Sequence, residues 1–121
     1  MVDLYVSRHS PGVGFGPLVP LSELNTPFSE QRPSIRFDGL EIFFYSNRPG
    51  GSGATDLWVA TRETLSHVWN APVNLGPIVN GSSTDFHPSI ASNGRELYFA
   101  SGRAGGIGFT DLYVSTRIHQ K

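Results

Sequence analysis

The 121-residue chain contains no cysteine, which excludes disulfides, thiolate nucleophiles and cysteine-type zinc sites. It has no apolar run long enough to span a bilayer. Its first residues, Met1-Val2-Asp3-Leu4-Tyr5-Val6-Ser7-Arg8, lack the basic start and apolar core of a signal peptide, so a soluble chain is expected, with no membrane partner. An excess of one charge is missing too: 9 Lys and Arg against 10 Asp and Glu leave a formal net charge of -1, with both signs interspersed. That balance gives no reason to expect nucleic acid as a partner. Nor does any long segment repeat its apolar residues with the 3.6 period of a helix. The chain does have 14 glycines and 9 prolines with aromatics between them, which predicts short strands joined by turns and almost no helix.

The stretch Ser46-Asn47-Arg48-Pro49-Gly50-Gly51-Ser52-Gly53-Ala54-Thr55-Asp56-Leu57-Trp58-Val59 returns as Ser101-Gly102-Arg103-Ala104-Gly105-Gly106-Ile107-Gly108-Phe109-Thr110-Asp111-Leu112-Tyr113-Val114. Laying residues 33–62 over 88–117 at a constant offset of 55 gives 17 identities in 30 positions. A period this long points to stacked supersecondary units. Asp3-Leu4-Tyr5-Val6-Ser7 opens the chain in the form that Asp56 and Asp111 begin later. Its spacing to Asp56 is 53, and the two-residue difference falls where Gly12, Gly14 and Gly16 mark a turn.

Within each unit, Pro33-Ser34-Ile35 and Pro88-Ser89-Ile90 run into Asp38-Gly39 and Asn93-Gly94, dipeptides that predict a tight two-residue hairpin. The strands that follow, 41–46 and 96–101, are apolar at successive positions, so both faces of each sheet should be buried. The Leu-Trp-Val and Leu-Tyr-Val strands should behave alike. Residues 15–21 and 69–75 carry prolines that suit an outer edge, where no neighbour needs an N–H. Each unit then reads as four antiparallel strands, apolar on both faces, and stacking such sheets radially is how propellers bury them.

The ordered set Pro-Ser-Ile, Asp/Asn-Gly, Glu-x-x-x-Phe-x-Ser-x-Arg, Gly-Gly-x-Gly, Asp-Leu-aromatic-Val and Val-Asn-Leu-Gly-Pro resembles the TolB-type, WD-repeat-like β-propeller repeat of bacteria, over residues 3–117. The chain departs from that pattern at Phe37 and Ser92-Asn93, where the family usually has Pro or Asp before the turn glycine. The expected fold is all-β: two four-stranded antiparallel propeller blades, about 28–75 and 83–117, plus one redundant end strand. Residues 1–121 would form a single propeller fragment, with the strands of 3–21 belonging to a shared or intermolecular blade. The resemblance implies work through protein or ligand contacts on a propeller face, and a periplasmic location if a longer precursor exists.

Arg48 with Asp56, and Arg103 with Asp111, bracket the glycine loops, where an ion pair or a capping contact would close each neck. The loops differ from a calcium-binding nonapeptide in spacing and period, and they lack the Gly-Lys-Ser/Thr of a phosphate loop. His9, His67, His87 and His119 are scattered, no nucleophile elbow exists, and neither metal nor cofactor is expected. The Asn80-Gly81-Ser82 sequon coincides with a turn signal. The one suggestive constellation is Glu30-Gln31-Arg32-Pro33 beside Asp85-Phe86-His87-Pro88. Residues i and i+2 share a face of a strand, so Glu30 with Arg32, and Asp85 with His87, would either pair locally with neighbouring backbone, the favoured reading, or present an acid with a base at a channel mouth and contact ligand there.

Three functions follow as expectations. The leading one is a non-enzymatic binding or scaffold module. The others are an accessory or hydrolase propeller using Glu30, Asp85, Arg32 and His87, and a structural fragment of a longer protein. Two blades do not close a ring of roughly four to eight. Self-association is therefore expected, as a trimer first and a tetramer second, with a protein or small ligand as a further partner.

Overall fold

A strand with apolar residues at every position needs a partner on each face, and Glu41-Ile42-Phe43-Phe44-Tyr45-Ser46 finds both. The computed structural model describes residues 2–118, so His119 lies outside the described residues. Eleven strands form and no helix occurs among those residues. The main sheet is β5 (Glu30–Ile35), β6 (Glu41–Ser46), β7 (Asp56–Thr61) and β8 (Val73–Asn74), antiparallel in chain order. The second contains β9 (Asp85–Ile90), β10 (Glu96–Ser101) and β11 (Asp111–Thr116), so it has three strands where four were expected. In the N-terminal part, β1 (Tyr5–Val6) pairs with β4 (Val19–Pro20), and β2 (His9–Ser10) pairs with β3 (Gly14–Phe15). The anticipated edge strand over 15–21 thus shortens to Val19–Pro20, because Phe15 closes the hairpin that Gly12 and Gly14 turn at positive φ.

Side chains of β6 alternate between two cores, as the period of 2 demands. Ile42 and Phe44 pack with Trp58, Ala60, Leu4, Leu24 and Trp69, so the N-terminal segment covers this face. Phe43 packs with Leu57, Leu97 and Phe99, and Tyr45, Val59, Ile90 and Tyr113 close around them, which stacks the second sheet on the first. Burying an aromatic or leucine side chain of this kind stabilises by about 1.5–3 kcal/mol. The two faces of β6 therefore hold the molecule together. The second sheet has only one such face. Its other face leaves Tyr98 49%, Leu112 83% and Val114 52% exposed in the single chain.

The predicted hairpin turns also differ in detail. Gly39 and Gly94 take φ of +77° and +73°, but Asp38 and Asn93 do not join them at positive φ. Gly39 donates its N–H to the Arg36 carbonyl, and Arg36 donates to that of Glu41, so a type I turn followed by a left-handed glycine replaces the two-residue form. Asp38 stabilises it by accepting from the Leu40 N–H at 3.0 Å and from Arg36 at 2.9 Å.

Candidate functional site

Glu30 and Asp85 begin β5 and β9, and the same loop chemistry receives both. Each is fully buried. Glu30 accepts from the Thr26 N–H at 3.0 Å, the Thr26 hydroxyl at 2.5 Å and the Ser46 hydroxyl at 3.1 Å, and pairs with Arg48 at 3.2 Å. Asp85 accepts from the Gly81 N–H at 2.7 Å and pairs with Arg103 at 3.0 Å. The two arginines do the same work one repeat apart. Arg48 reaches past Glu30 to the Leu24 carbonyl at 2.6 Å and lies over the Phe44 and Trp58 rings. Arg103 reaches the Val79 carbonyl and lies over Phe99 and Tyr113. Burial lowers the Arg48 guanidinium from its ordinary value, and the Glu30 charge opposes the shift.

Arg48 and Arg103 therefore answer Glu30 and Asp85, while Asp56 and Asp111 close the glycine loops by capping. Asp56 accepts from the Ser52 N–H at 2.5 Å and the Gly53 N–H at 3.1 Å, and Asp111 accepts from the Gly108 N–H at 3.2 Å. Of the two sequence readings of the loop neck, the cap is the one observed. A side chain at Gly51 or Gly106 would run into the Asp56 or Asp111 carboxylate, which is why the loop needs glycine there. No group of three metal-ligating side chains occurs among the described residues.

The expected pairing of acid and base on one face does not occur. A bulge separates them in both units: Gln31 opposes Tyr45 and Ser34 opposes Phe43, while Phe86 opposes Ala100 and Ser89 opposes Tyr98. Pro33 and Pro88 have no N–H for the ladder, and the residue before each takes up the extra length. Arg32 and His87 sit there at φ of +54° and +55°, conformations that cost a non-glycine residue about 1–3 kcal/mol. The backbone turns both side chains outward while Glu30 and Asp85 stay inside. His87 lies 4.6 Å from the Phe86 ring and 5.6 Å from that of Tyr45, whose hydroxyl donates to Gln31 at 2.9 Å. Partial burial, and then the charge of Arg32, lowers the His87 imidazole from its ordinary value. The structure thus leaves Arg32 and His87 exposed, with His87 against the Phe86 and Tyr45 rings, and removes Glu30 and Asp85 to the interior.

Sequence reasoning missed two asparagines. Asn80 accepts from the Leu57 N–H at 2.8 Å and donates to its carbonyl at 3.0 Å, and Asn25 grips Leu4 with the same pair at 2.8 and 3.0 Å. They are 55 apart, just upstream of the aligned span, so the repeat offset was the signal that could have found them. Glu41 was missed as well. It takes Arg36 at 3.1 Å from its own hairpin and Arg117 at 2.6 Å from the second sheet, and so ties one sheet to the next. Comparison with protein-family models and with curated proteins gives no match.

Proposed function

We propose that the chain is a non-enzymatic binding and scaffold module built from TolB-type propeller repeats, working as a closed ring of several copies. Six blades from three chains is the preferred assembly, and eight from four is the alternative. One observation carries the reading. Tyr98 and Leu112 are 49% and 83% exposed, whereas Phe43 and Leu57, 55 positions earlier, are 2% and 0% exposed beneath the second sheet. The same face of the repeat is a core in one unit and open in the next, and a contiguous apolar patch of this kind marks an interaction surface.

The engaged carboxylates argue against hydrolysis. Glu30 and Asp85 are buried and already engaged by Arg48 and Arg103, so neither faces solvent as a general acid or base. The surface left for a protein or small ligand is the pair of strained bulges bearing Arg32 and His87, the latter against Phe86 and Tyr45. An exposed guanidinium and an imidazole set edge-on against aromatic rings suit an anionic group on an apolar body. Light scattering at micromolar concentration tests the assembly: a mass of three or four chains is expected, and a folded monomer would refute the ring.

A further inference from the structure

Two cavities among the described residues are the same site one repeat apart. The smaller, about 150 Å³, lies between Phe43 of the first sheet and Ile90, Leu97 and Arg117 of the second. The larger, about 570 Å³, is lined by Ile35, Ile42 and Arg62, which stand 55 positions before those three, and by Tyr5 and Val6 of β1. In the smaller site Phe43 and its hairpin fill the space. In the larger, the N-terminal segment supplies only the two outer strands, β1 and β4, and no hairpin of the described residues stands inside them. The unfilled volume is the place of the missing inner pair.

The polar groups around the larger site are unmatched in a complementary way. Arg117 donates to the Gly94 carbonyl and pairs with Glu41 across the sheets. Arg62 donates to the Gly39 carbonyl in the same manner, yet has no carboxylate partner among the described residues. Glu96, 55 positions after Glu41, has an amide contact from Asn93 at 3.3 Å and no cation among the described residues. The edge of β1 is also open. Leu4 gives its N–H and carbonyl to Asn25, and the carbonyl to Leu21 as well. Because backbone groups alternate along a strand, those of Tyr5 face the cavity, where no strand pairs with them.

We propose that this cavity is the seat of the β9–β10 hairpin of a second copy of the chain, with Tyr98 entering where Phe43 sits one repeat later, Glu96 pairing with Arg62, and β10 pairing with β1. The inference rests on the ring reading and specifies how its copies join. Since β10 has one such edge, β1 of the partner takes the place of β11. The exchange is between unequal strands. Leu4 is buried and clamped by Asn25, whereas Leu112 is open to solvent and has no such clamp among the described residues. Arg117–Glu41 is given up and Arg62–Glu96 replaces it, one ion pair for one. A further bond has its template in the chain: Ser34 accepts from the Ile90 N–H at 3.0 Å, and Ser89 would accept from that of Ile35 in the other copy.

A chain without cysteine allows a clean test. Val6 takes the register of Val114, which opposes Tyr98 on β10, and such a non-hydrogen-bonded pair spans about 4.5 Å between Cα atoms, within disulfide range. Val6→Cys with Tyr98→Cys should give disulfides between chains on mild oxidation, because β1 and β10 do not touch within one chain. Tyr98→Cys with Val114→Cys is the control: it should close within a chain in dissociated protein, where β11 keeps its place on β10, and so favour the monomer. Arg62→Glu, and separately Glu96→Arg, should weaken assembly by about tenfold. The two together should restore it. A wild-type oligomer that yields no Val6–Tyr98 disulfide, or whose doubly reversed variant stays weak, overturns the seat and leaves the ring reading standing. A folded wild-type monomer removes both.

Discussion

Arg48→Ala should be among the most damaging single substitutions in the chain. It leaves the fully buried Glu30 charge without its arginine and the Leu24 carbonyl without its donor, and it uncovers the Phe44 and Trp58 rings. Breaking a buried ion pair from one side costs about 3–5 kcal/mol, and an orphaned carbonyl adds about 1–3. These terms overlap, and the Thr26 and Ser46 bonds to Glu30 remain, so the expected loss is about 4 kcal/mol. Against a total stability of about 5–15 kcal/mol for a small domain, the variant would be marginal at best. The double replacement Arg48→Met, Glu30→Leu tests the cause, because an apolar pair of similar volume removes the unpaired charge and should recover most of the loss. Urea unfolding followed by tryptophan fluorescence measures all three chains, with Trp58 beside the site as reporter. If Arg48→Ala costs less than about 1 kcal/mol, the usual value of an exposed pair, Glu30 is solvated and the buried-arginine account is wrong.

Asn80→Ala should destabilise by about 1–3 kcal/mol, since the buried Leu57 N–H loses its acceptor, and Asn25→Ala should do the same through Leu4; equal unfolding midpoints with wild type would contradict this. Gly51→Ala should cost about 1–3 kcal/mol because its methyl group displaces the Asp56 cap, and thermal unfolding reads the shift. The His87 imidazole, followed by NMR, should titrate below its ordinary value of about 6.5, and Arg32→Ala should move the midpoint up part of the way, burial being the larger cause. Since the folded value is depressed, this histidine's contribution to stability is complete above about pH 6.5 and is lost as pH falls through the folded value. An unmoved midpoint in Arg32→Ala would separate the two side chains.

The all-β class and the long strands of the two larger sheets were legible from local pattern alone. Continuous apolar runs at 41–46 and 96–101, glycine after Asp38 and Asn93, and proline at the strand margins each act within a few residues, where sequence and backbone are directly coupled. The 55-residue offset carried the rest of the architecture, because repeated chemistry folds repeatedly: Arg48 and Arg103, or Asp56 and Asp111, occupy matching places. What sequence could not assign was which partner each charge takes. Arg48 and Asp56 are close in sequence, yet the arginine turns to Glu30, because a buried carboxylate is too costly to leave unpaired and the chain that brings it there is not local. The face of Arg32 and His87 was equally hidden. Alternation predicts side-chain direction only in a regular ladder, and one inserted residue before each proline reverses it. The two faces of the repeat were identical in sequence pattern, but burial depends on what stands opposite, so only the tertiary structure decided that Phe43 is covered and Tyr98 is not.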